Sequence, residues 1–348
     1  MMTSSPAATA PAAGTGRNDK MTVSDRPPTL ADIARDAGVS VSTASRVLAG
    51  TGYASPAARG RVTAAADRLG YVPDVAARAL ARGSGVRLVV LAAGASAAVL
   101  DDPYVDRVVG AAARVCAPLG MGVALNWLPS RNPGDLRRLA ADRGVGGVVL
   151  LNATARVLDA VPTALRGRVV SIGIGSPQVP SVDVDNAGGT EAVVGHLYAT
   201  GRRRIAMVTG PHWMPCSGRS VTAYRRMMRE AGLPARTVSG DFTARRGRVA
   251  AREVLTRWPD VDAVVGISDA TALGVIDRLR GDGVQVPGDV AVTGFDDIPL
   301  AAMTTPALTT ATHPVAEIAT AAATAALAGG RVGPLTTFPS RLVRRVSA

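Results

Sequence analysis

This 348-residue chain has only two cysteines and three histidines, and the spacing of its residues that could make or break covalent bonds limits what they can do. Ser268 lies in Gly266-Ile-Ser-Asp-Ala270, one residue short of the pattern that exposes a nucleophilic serine on a strand-to-helix turn, and the only histidine after it is His313. Asp296 and Asp297 are adjacent, and neighbouring loop side chains point different ways, a poor arrangement for paired acid and base. His196, His212 and His313 have no cysteine or carboxylate at ligand spacing and read as structural or surface residues. Cys116 and Cys216 make neither a disulfide framework nor a metal pattern, which fits a reducing, cytoplasmic setting. The reading is of a non-enzyme without cofactor or metal, whose chemistry is noncovalent recognition.

The groups best suited to recognition lie near the start. Thr29 to Leu48 reads as two short helices around a tight turn: Leu30, Ile33, Ala34 and Ala37 share one helical face, and Ala44, Val47 and Leu48 another. Gly38 can take the left-handed conformation that closes the first helix, and Ser40 is placed to cap the second. Such a helix-turn-helix puts the start of its second helix into the DNA major groove, so Val41, Ser42, Thr43, Ser45 and Arg46 form the candidate reading face. Ser55-Pro56 and Gly70 bracket a third helix, whose Val62, Ala65, Ala66 and Leu69 are expected to cover the first two, with Tyr71 closing the core.

The formal charge of +12 favours an anionic partner, although the arginines are spread along the chain and Lys20 is the only lysine. No run of 18 apolar residues is present, so no membrane span is expected. Residues 1–27, rich in Ala, Ser, Thr, Pro and Gly, read as a disordered tail without a secretory signal. Residues 28–72 read as the helical head, and 73–85 as a short helix and linker too brief to be stable alone, leaving Leu80 to seek burial.

From residue 86 apolar strands alternate with amphipathic helices, the pattern of parallel sheets covered on both faces. Strands are expected at 87–92, 122–127, 147–151 and 169–173, then at 204–209, 236–239, 263–267 and 290–294. Helices are expected at 104–118, 135–143 and 156–165, then at 188–200, 221–231, 247–257 and 270–280, before a helix at 315–327 and a last strand at 338–344. Two such sets imply two α/β lobes with a ligand cleft between them.

Taken together, the chain resembles the lactose-repressor (LacI/GalR) family of bacterial transcription regulators from Thr29 to its end. The resemblance rests on Thr-Leu-x-Asp-Ile-Ala, Ala-Gly-Val-Ser, Thr-Ala-Ser-Arg-Val-Leu, Gly-Tyr-x-Pro, Ala-Arg-Ala-Leu, Val-Asp-Asn at 184–186, Arg-Arg-Ile-Ala at 203–206, Val-Pro-x-Asp-Val-Ala-Val-x-Gly-Phe-Asp-Asp at 286–297, and Pro-x-Leu-Thr-Thr at 306–310. It implies an all-α helix-turn-helix head on an α/β body of two doubly wound parallel-sheet lobes, like a periplasmic binding protein. Lobe 1 would take about 86–185 and 311–330, and lobe 2 about 186–310 and 331–348.

The resemblance also implies a homodimer on double-stranded operator DNA, controlled by a small, sugar-like effector. Val41 can pack on a thymine methyl, Ser42 can bond a base edge, and Arg46 can reach guanine or a phosphate. Thr29, Leu30, Ser40, Thr43, Ser45 and Ser55 match positions that hold the DNA backbone. Ala77 and Leu80 belong to a hinge helix whose leucine wedges into the minor groove, although Asp74 stands where the family has asparagine. In the cleft, Tyr104, Phe242 and Asp296 match effector contacts, and Ser268, a further candidate contact, stands where the family commonly has asparagine. The family's pocket arginine is Ser220 here, with Arg219 one position off, and its Asp-Arg pair after the fourth strand is Gly173-Ile174. Two other classes share parts of this plan, a solute-binding protein and an α/β enzyme; the added head and the missing signal count against the first.

Overall fold

The computed structural model describes residues 28–49, 53–71, 87–131, 133–329 and 335–348, so the expected tail and the hinge with Asp74, Ala77 and Leu80 lie outside the described residues. The chain divides into two compact units, Met1–Asp74 and Val75–Ala348.

The head is built by its caps. Helix α1 (Leu30–Ala37) opens on a capping box, Thr29 Oγ1 accepting from Asp32 N at 3.4 Å and the Asp32 carboxylate accepting from Thr29 N at 2.9 Å. It closes on Gly38 at φ 61°. Helix α2 (Val41–Ala49) starts at Ser40, whose Oγ accepts from Thr43 N at 3.1 Å. Helix α3 (Pro56–Leu69) runs from Ser55, which caps Ala58 N at 3.2 Å, to Gly70. Ile33, Ala34, Ala37, Ala44, Val62, Ala65 and Ala66 form the core. Leu69, expected in that core, is instead 40% exposed, because Tyr71 folds back against the cluster and closes it beyond the last turn. Arg61 Nε donates to Ala37 O at 3.0 Å and Arg68 pairs with Asp36 at 2.6 Å, tying α3 to the end of α1.

In the second unit, lobe 1 begins with β1 (Arg87–Gly94), α4 (Pro103–Cys116), β2 (Gly122–Pro129), α5 (Asp135–Ala141) and β3 (Val145–Leu151). It continues through α6 (Ala155–Asp159), β4 (Val169–Ile172) and β5 (Ser181–Val184). The helix expected over 156–165 is split into α6 and a single tight turn at Thr163–Leu165, with Pro162 between them. Lobe 2 follows with α7 (Asn186–Ala199), β6 (Ile205–Val208), α8 (Pro215–Glu230), β7 (Arg236–Val238), α9 (Ala244–Arg257), β8 (Ala263–Gly266), α10 (Asp269–Gly281), β9 (Ala291–Thr293) and the short α11 (Pro299–Met303). The chain then crosses back through β10 (Thr310–Ala311) to α12 (Val315–Leu327), β11 (Leu335–Phe338) and β12 (Leu342–Val343).

The first sheet is parallel, in the order β11-β5-β4-β3-β1-β2, and the second is parallel in the order β7-β6-β8-β9. Alternate residues of β1 serve opposite cores: Leu88, Val90 and Ala92 pack with Val105, Val108 and Ala322, whereas Val89, Leu91 and Ala93 pack with Leu136, Val157 and Leu165. The second sheet is covered on one side by α9 and α10, with Ala206, Val208, Val264 and Val292 against Ala250, Val254, Val275 and Leu279.

Two expectations for the chain end need correction. The strand drawn over 338–344, with 331–348 placed in lobe 2, is two strands in two places. Leu335–Phe338 pairs in parallel with β5 in the first sheet, and Leu342–Val343 pairs antiparallel with β10. Pro339 lacks the N–H needed to continue a ladder, and α12 supplies the crossover that parallel pairing requires. Strand β5 itself was not expected, because Ser181-Val-Asp-Val184 is short and carries two polar residues, although all four are buried. No helix among the described residues is long and apolar enough to cross a membrane.

Candidate DNA-reading face and ligand cleft

On the head, α2 presents its first turn outward: Ser40, Val41, Ser42, Ser45 and Arg46 are exposed and Thr43 is half-buried, while Ala44 points into the core. Val41 is 49% exposed, an apolar side chain at a helix start with no place in the core. The Ser40 hydroxyl lies 2.9 Å from that of Ser42 and 2.8 Å from that of Thr43, and Arg46 Nε donates to Ser42 O at 3.2 Å. Thr29, Ser40 and Ser55 are the N-caps of the three helices. Each therefore stands where unpaired amides and the positive end of a helix dipole face outward, the local chemistry that holds a phosphate. Leu30 differs from the rest, being half-buried against the head core.

In the body, lobe 1 contributes Tyr104, in the first turn of α4, where its N–H donates to Asp102 Oδ1 at 2.9 Å. It also contributes Asp183 of β5, which is 7% exposed. Lobe 2 contributes Cys216, Ser217 and Arg219 from the first turns of α8, and Phe242 from the loop before α9. Asp296 follows β9, and its Oδ1 accepts from His313 Nδ1 at 3.1 Å. The His313 ring lies 5.3 Å from the Tyr104 ring, centroid to centroid. Arg219 Nη2 donates to Asp183 Oδ2, an ion pair between α8 and β5.

Backbone strain gathers at the same place. Phe242 has φ 70°, Asp296 φ 116° and Asp297 φ 49°, conformations that non-glycine residues seldom adopt. Gly210 makes room for Phe242: a Cβ there would stand 2.7 Å from the ring edge and 2.3 Å from Ser217 Oγ. The electrostatics are those of a partly buried, acidic site. Burial, reinforced by Asp183, Cys216, Asp296 and Asp102, holds the Tyr104 phenol well above its ordinary value. Burial likewise pushes the Cys216 thiol up to about 11 and raises Asp102. Asp183 is also raised by burial, against the opposing pull of Arg219, the Val184 N–H, His313 and Asn186.

The structure thus brings Tyr104, Arg219 and Asp296 together with three residues the sequence reading left out of the cleft, Asp183, Cys216 and Ser217. His313, read as a structural or surface residue, is half-buried, its ring 5.3 Å from that of Tyr104 and its Nδ1 donating to Asp296 Oδ1. Phe242 joins them through Ser217. Ser268, expected as an effector contact, is buried with its hydroxyl already engaged: it accepts from Thr271 N at 3.2 Å as the cap of α10 and donates to Phe242 O at 3.2 Å. Its place is behind Phe242, as a positioning residue. Ser220, where the pocket arginine was expected, is buried, with its hydroxyl 3.5 Å from Asn186 O. Consecutive helical residues point about 100° apart, so Arg219 cannot reach that spot and meets Asp183 instead. The missed residues Asp183, Cys216 and Ser217 carried no local signal, whereas Ser268 stands at a helix start, the place of a cap.

Comparison with known proteins agrees with this geometry. Residues 29–74 match the model of bacterial regulatory proteins of the lacI family, and residues 194–347 match the periplasmic binding protein-like domain. The HTH-type transcriptional regulator CelR of Thermobifida fusca is 36% identical over 309 residues, covering 83% of this chain and 88% of its own. The HTH-type transcriptional regulator MalR of Streptomyces coelicolor is 32% identical over 348 residues, 92% of this chain and 96% of its own. Among solved structures, a CelR-cellobiose complex is 31% identical with a TM-score of 0.66, covering 92% of this chain and 100% of its own. The lac repressor dimer bound to operator and the anti-inducer ONPF shares the fold, with a TM-score of 0.81 at 24% identity over 92% of this chain and 99% of its own. With a helix-turn-helix head, a two-lobe body, and relatives above 30% identity along most of its length, the chain belongs to the lacI family of bacterial transcriptional regulators.

Proposed function

We propose that this regulator is a cytoplasmic repressor that binds operator DNA as a homodimer and changes its operator affinity when a sugar enters the cleft between its lobes. In this reading residues 28–72 bind DNA, 73–85 form the hinge with Ala77 and Leu80 at the minor groove, and 86–348 carry effector binding and dimerisation. The observation that carries the DNA half is the outward first turn of α2, with Val41 exposed beside Ser42 and Arg46. Val41 and Ser42 read base edges, Arg46 a guanine or a phosphate, and the helix starts at Thr29, Ser40 and Ser55, with Leu30, Thr43 and Ser45, hold the backbone. Support for the effector half comes from a relative solved with cellobiose. It comes also from Phe242, an aromatic face suited to stack on a sugar ring, set among hydrogen-bonding groups of both lobes, Tyr104 and Asp296 included.

The experiment is a footprint of the full chain on the DNA upstream of its own gene, with fluorescence anisotropy on the protected sequence. Protection of a near-palindromic site is expected, with Arg46→Ala weakening it roughly tenfold or more. No protection by the wild type, or no change with Arg46→Ala, would sink the reading. A cleft ligand must shift operator affinity by the factor by which operator shifts ligand affinity, and titrating each in the presence of the other checks that reciprocity.

A further inference from the structure

We infer that the cleft selects an uncharged, hydroxyl-rich ligand and refuses its phosphorylated or carboxylated counterparts, because Asp183 neutralises Arg219, the arginine that the described residues bring to the site. The inference rests on the cleft being the effector site and concerns which member of the sugar class it takes.

The first ground is the balance of charge among the described residues. Arg219 is the guanidinium at the cleft, and it is already held by Asp183 in a hydrogen-bonded ion pair. Asp296 and Asp102 add two further carboxylates around Tyr104, while the nearby Asp297 is paired at 2.7 Å with Arg345. A phosphate entering here would meet three carboxylates and one occupied cation. An ion stripped of water without a matching partner is strongly disfavoured.

The second ground is the kind of hydrogen-bonding group on offer. Ser217 is 2% exposed, and its hydroxyl has no nitrogen or oxygen partner among the described residues, its polar neighbour being the Cys216 thiol. That hydroxyl stands beside the Phe242 ring edge, across Gly210. His313 Nε2 is likewise buried and unpartnered among the described residues. A carboxylate can only accept, so His313 Nδ1 donates toward Asp296. With Asp183 and Asp296 accepting, and the Tyr104 and Ser217 hydroxyls able to accept as well as donate, the site asks its ligand for donors. Sugar hydroxyls donate; an ionised phosphate or carboxylate only accepts. The raised phenol, thiol and carboxyl of Tyr104, Cys216 and Asp102 accord with this, since the burial, and after it the neighbouring carboxylates, that disfavour their ionised forms also disfavour an incoming anion.

The test is calorimetric titration of the full chain with a panel of neutral mono- and disaccharides, cellobiose and maltose among them, and with the 6-phosphates of the same sugars. Any neutral sugar that binds is expected to do so at least about thirtyfold more tightly than its 6-phosphate. Asp183→Asn, which releases Arg219, is expected to narrow that ratio by roughly tenfold or more. Ser217→Ala is expected to weaken the neutral sugar about tenfold, and operator binding by both variants confirms their folding. A 6-phosphate bound as tightly as the neutral sugar overturns the inference, as does a ratio that Asp183→Asn leaves unmoved. Failure of every sugar, neutral and phosphorylated, in a protein that still protects its operator overturns the sugar reading itself and takes this inference with it, an outcome distinct from the first two.

Discussion

Asp269 gives this protein a pH-dependent stability that one substitution isolates. The residue is fully buried at the start of α10, its Oδ1 accepting from Thr310 Oγ1 at 2.5 Å and its Oδ2 from Ile298 N at 2.8 Å. Burial outweighs those two donors and, with smaller contributions from Asp296 and Asp297, pushes its pKa from 3.8 up to about 7. A raised folded-state pKa means that the native protein holds the proton more tightly than the unfolded chain. The stabilisation is therefore fully present below the unfolded value of 3.8 and is lost as pH rises through about 7. At about 1.4 kcal/mol per pKa unit the full effect is on the order of 4 kcal/mol, of which about 2.5 kcal/mol falls between roughly pH 5 and pH 8. Asp269→Asn keeps the volume, and its amide can turn its oxygen to the Ile298 N–H and its nitrogen to Thr310 Oγ1, which accepts as well as donates. Trp127, Trp213 and Trp258 all lie in the body, so tryptophan fluorescence in urea follows that unit and not the head. Stability of the wild type minus that of Asp269→Asn should fall steadily across that range. Parallel curves, or a difference that grows with pH, would show that Asp269 titrates as an ordinary aspartate and refute the argument.

Other substitutions read other parts of the fold. At Gly274 a Cβ would stand 2.0 Å from Ala244 O, so Gly274→Ala must push α9 and α10 apart, costing about 1–3 kcal/mol in the same urea assay. Tyr224→Phe removes a buried hydroxyl that donates to Ile205 O at 2.9 Å and accepts from Arg236 N at 2.8 Å. A loss of about 1–3 kcal/mol is expected there, most of it from the stranded Arg236 N–H. Thr29→Ala opens the capping box and should cost the head about 1 kcal/mol; hydrogen exchange of the α1 amides should quicken while that of the β1 amides stays as it was.

The head was legible because its determinants are local. Thr29, Gly38, Ser40, Ser55 and Gly70 each act on the turn next to them, and the three helices fit between those caps. Apart from β5 and β11, the strands of both sheets showed themselves as largely apolar runs because parallel sheets are covered on both faces. What escaped was nonlocal. Asp183 is a polar residue in a buried strand, and its partner, Arg219, lies 36 positions away on another lobe. Cys216, Ser217 and His313 have no spacing that announces a site; only the folding of two sheets around one cleft collects them. Arg219 was read by proximity to a motif position, yet the rotation of one helical residue gives it a different partner.

His313 sits on one of the chain segments that join the lobes and Asp296 is bonded to that segment, which bears on how occupancy is felt elsewhere. Asp296 N donates to Ala311 O at 2.8 Å and His313 N to Asp296 O at 3.3 Å, while Thr312 N donates to Arg341 O and Asp185 N to Phe338 O, both at 2.8 Å. These bonds lace the three crossings side by side, so rotation of one lobe against the other has to pass through the residues that carry Asp296 and His313. Asp296 already holds φ 116° in that lacing, a strained setting that small shifts of its neighbours would ease or worsen. A ligand touching one lobe alone would bind every lobe arrangement equally and shift none of them, however tightly it bound. Tyr104 and Asp183 on one side, and Ser217 and Phe242 on the other, give a ligand held as proposed a different set of partners in each arrangement. The residues proposed to choose the ligand are thus the ones through which its binding energy would act on the lobes.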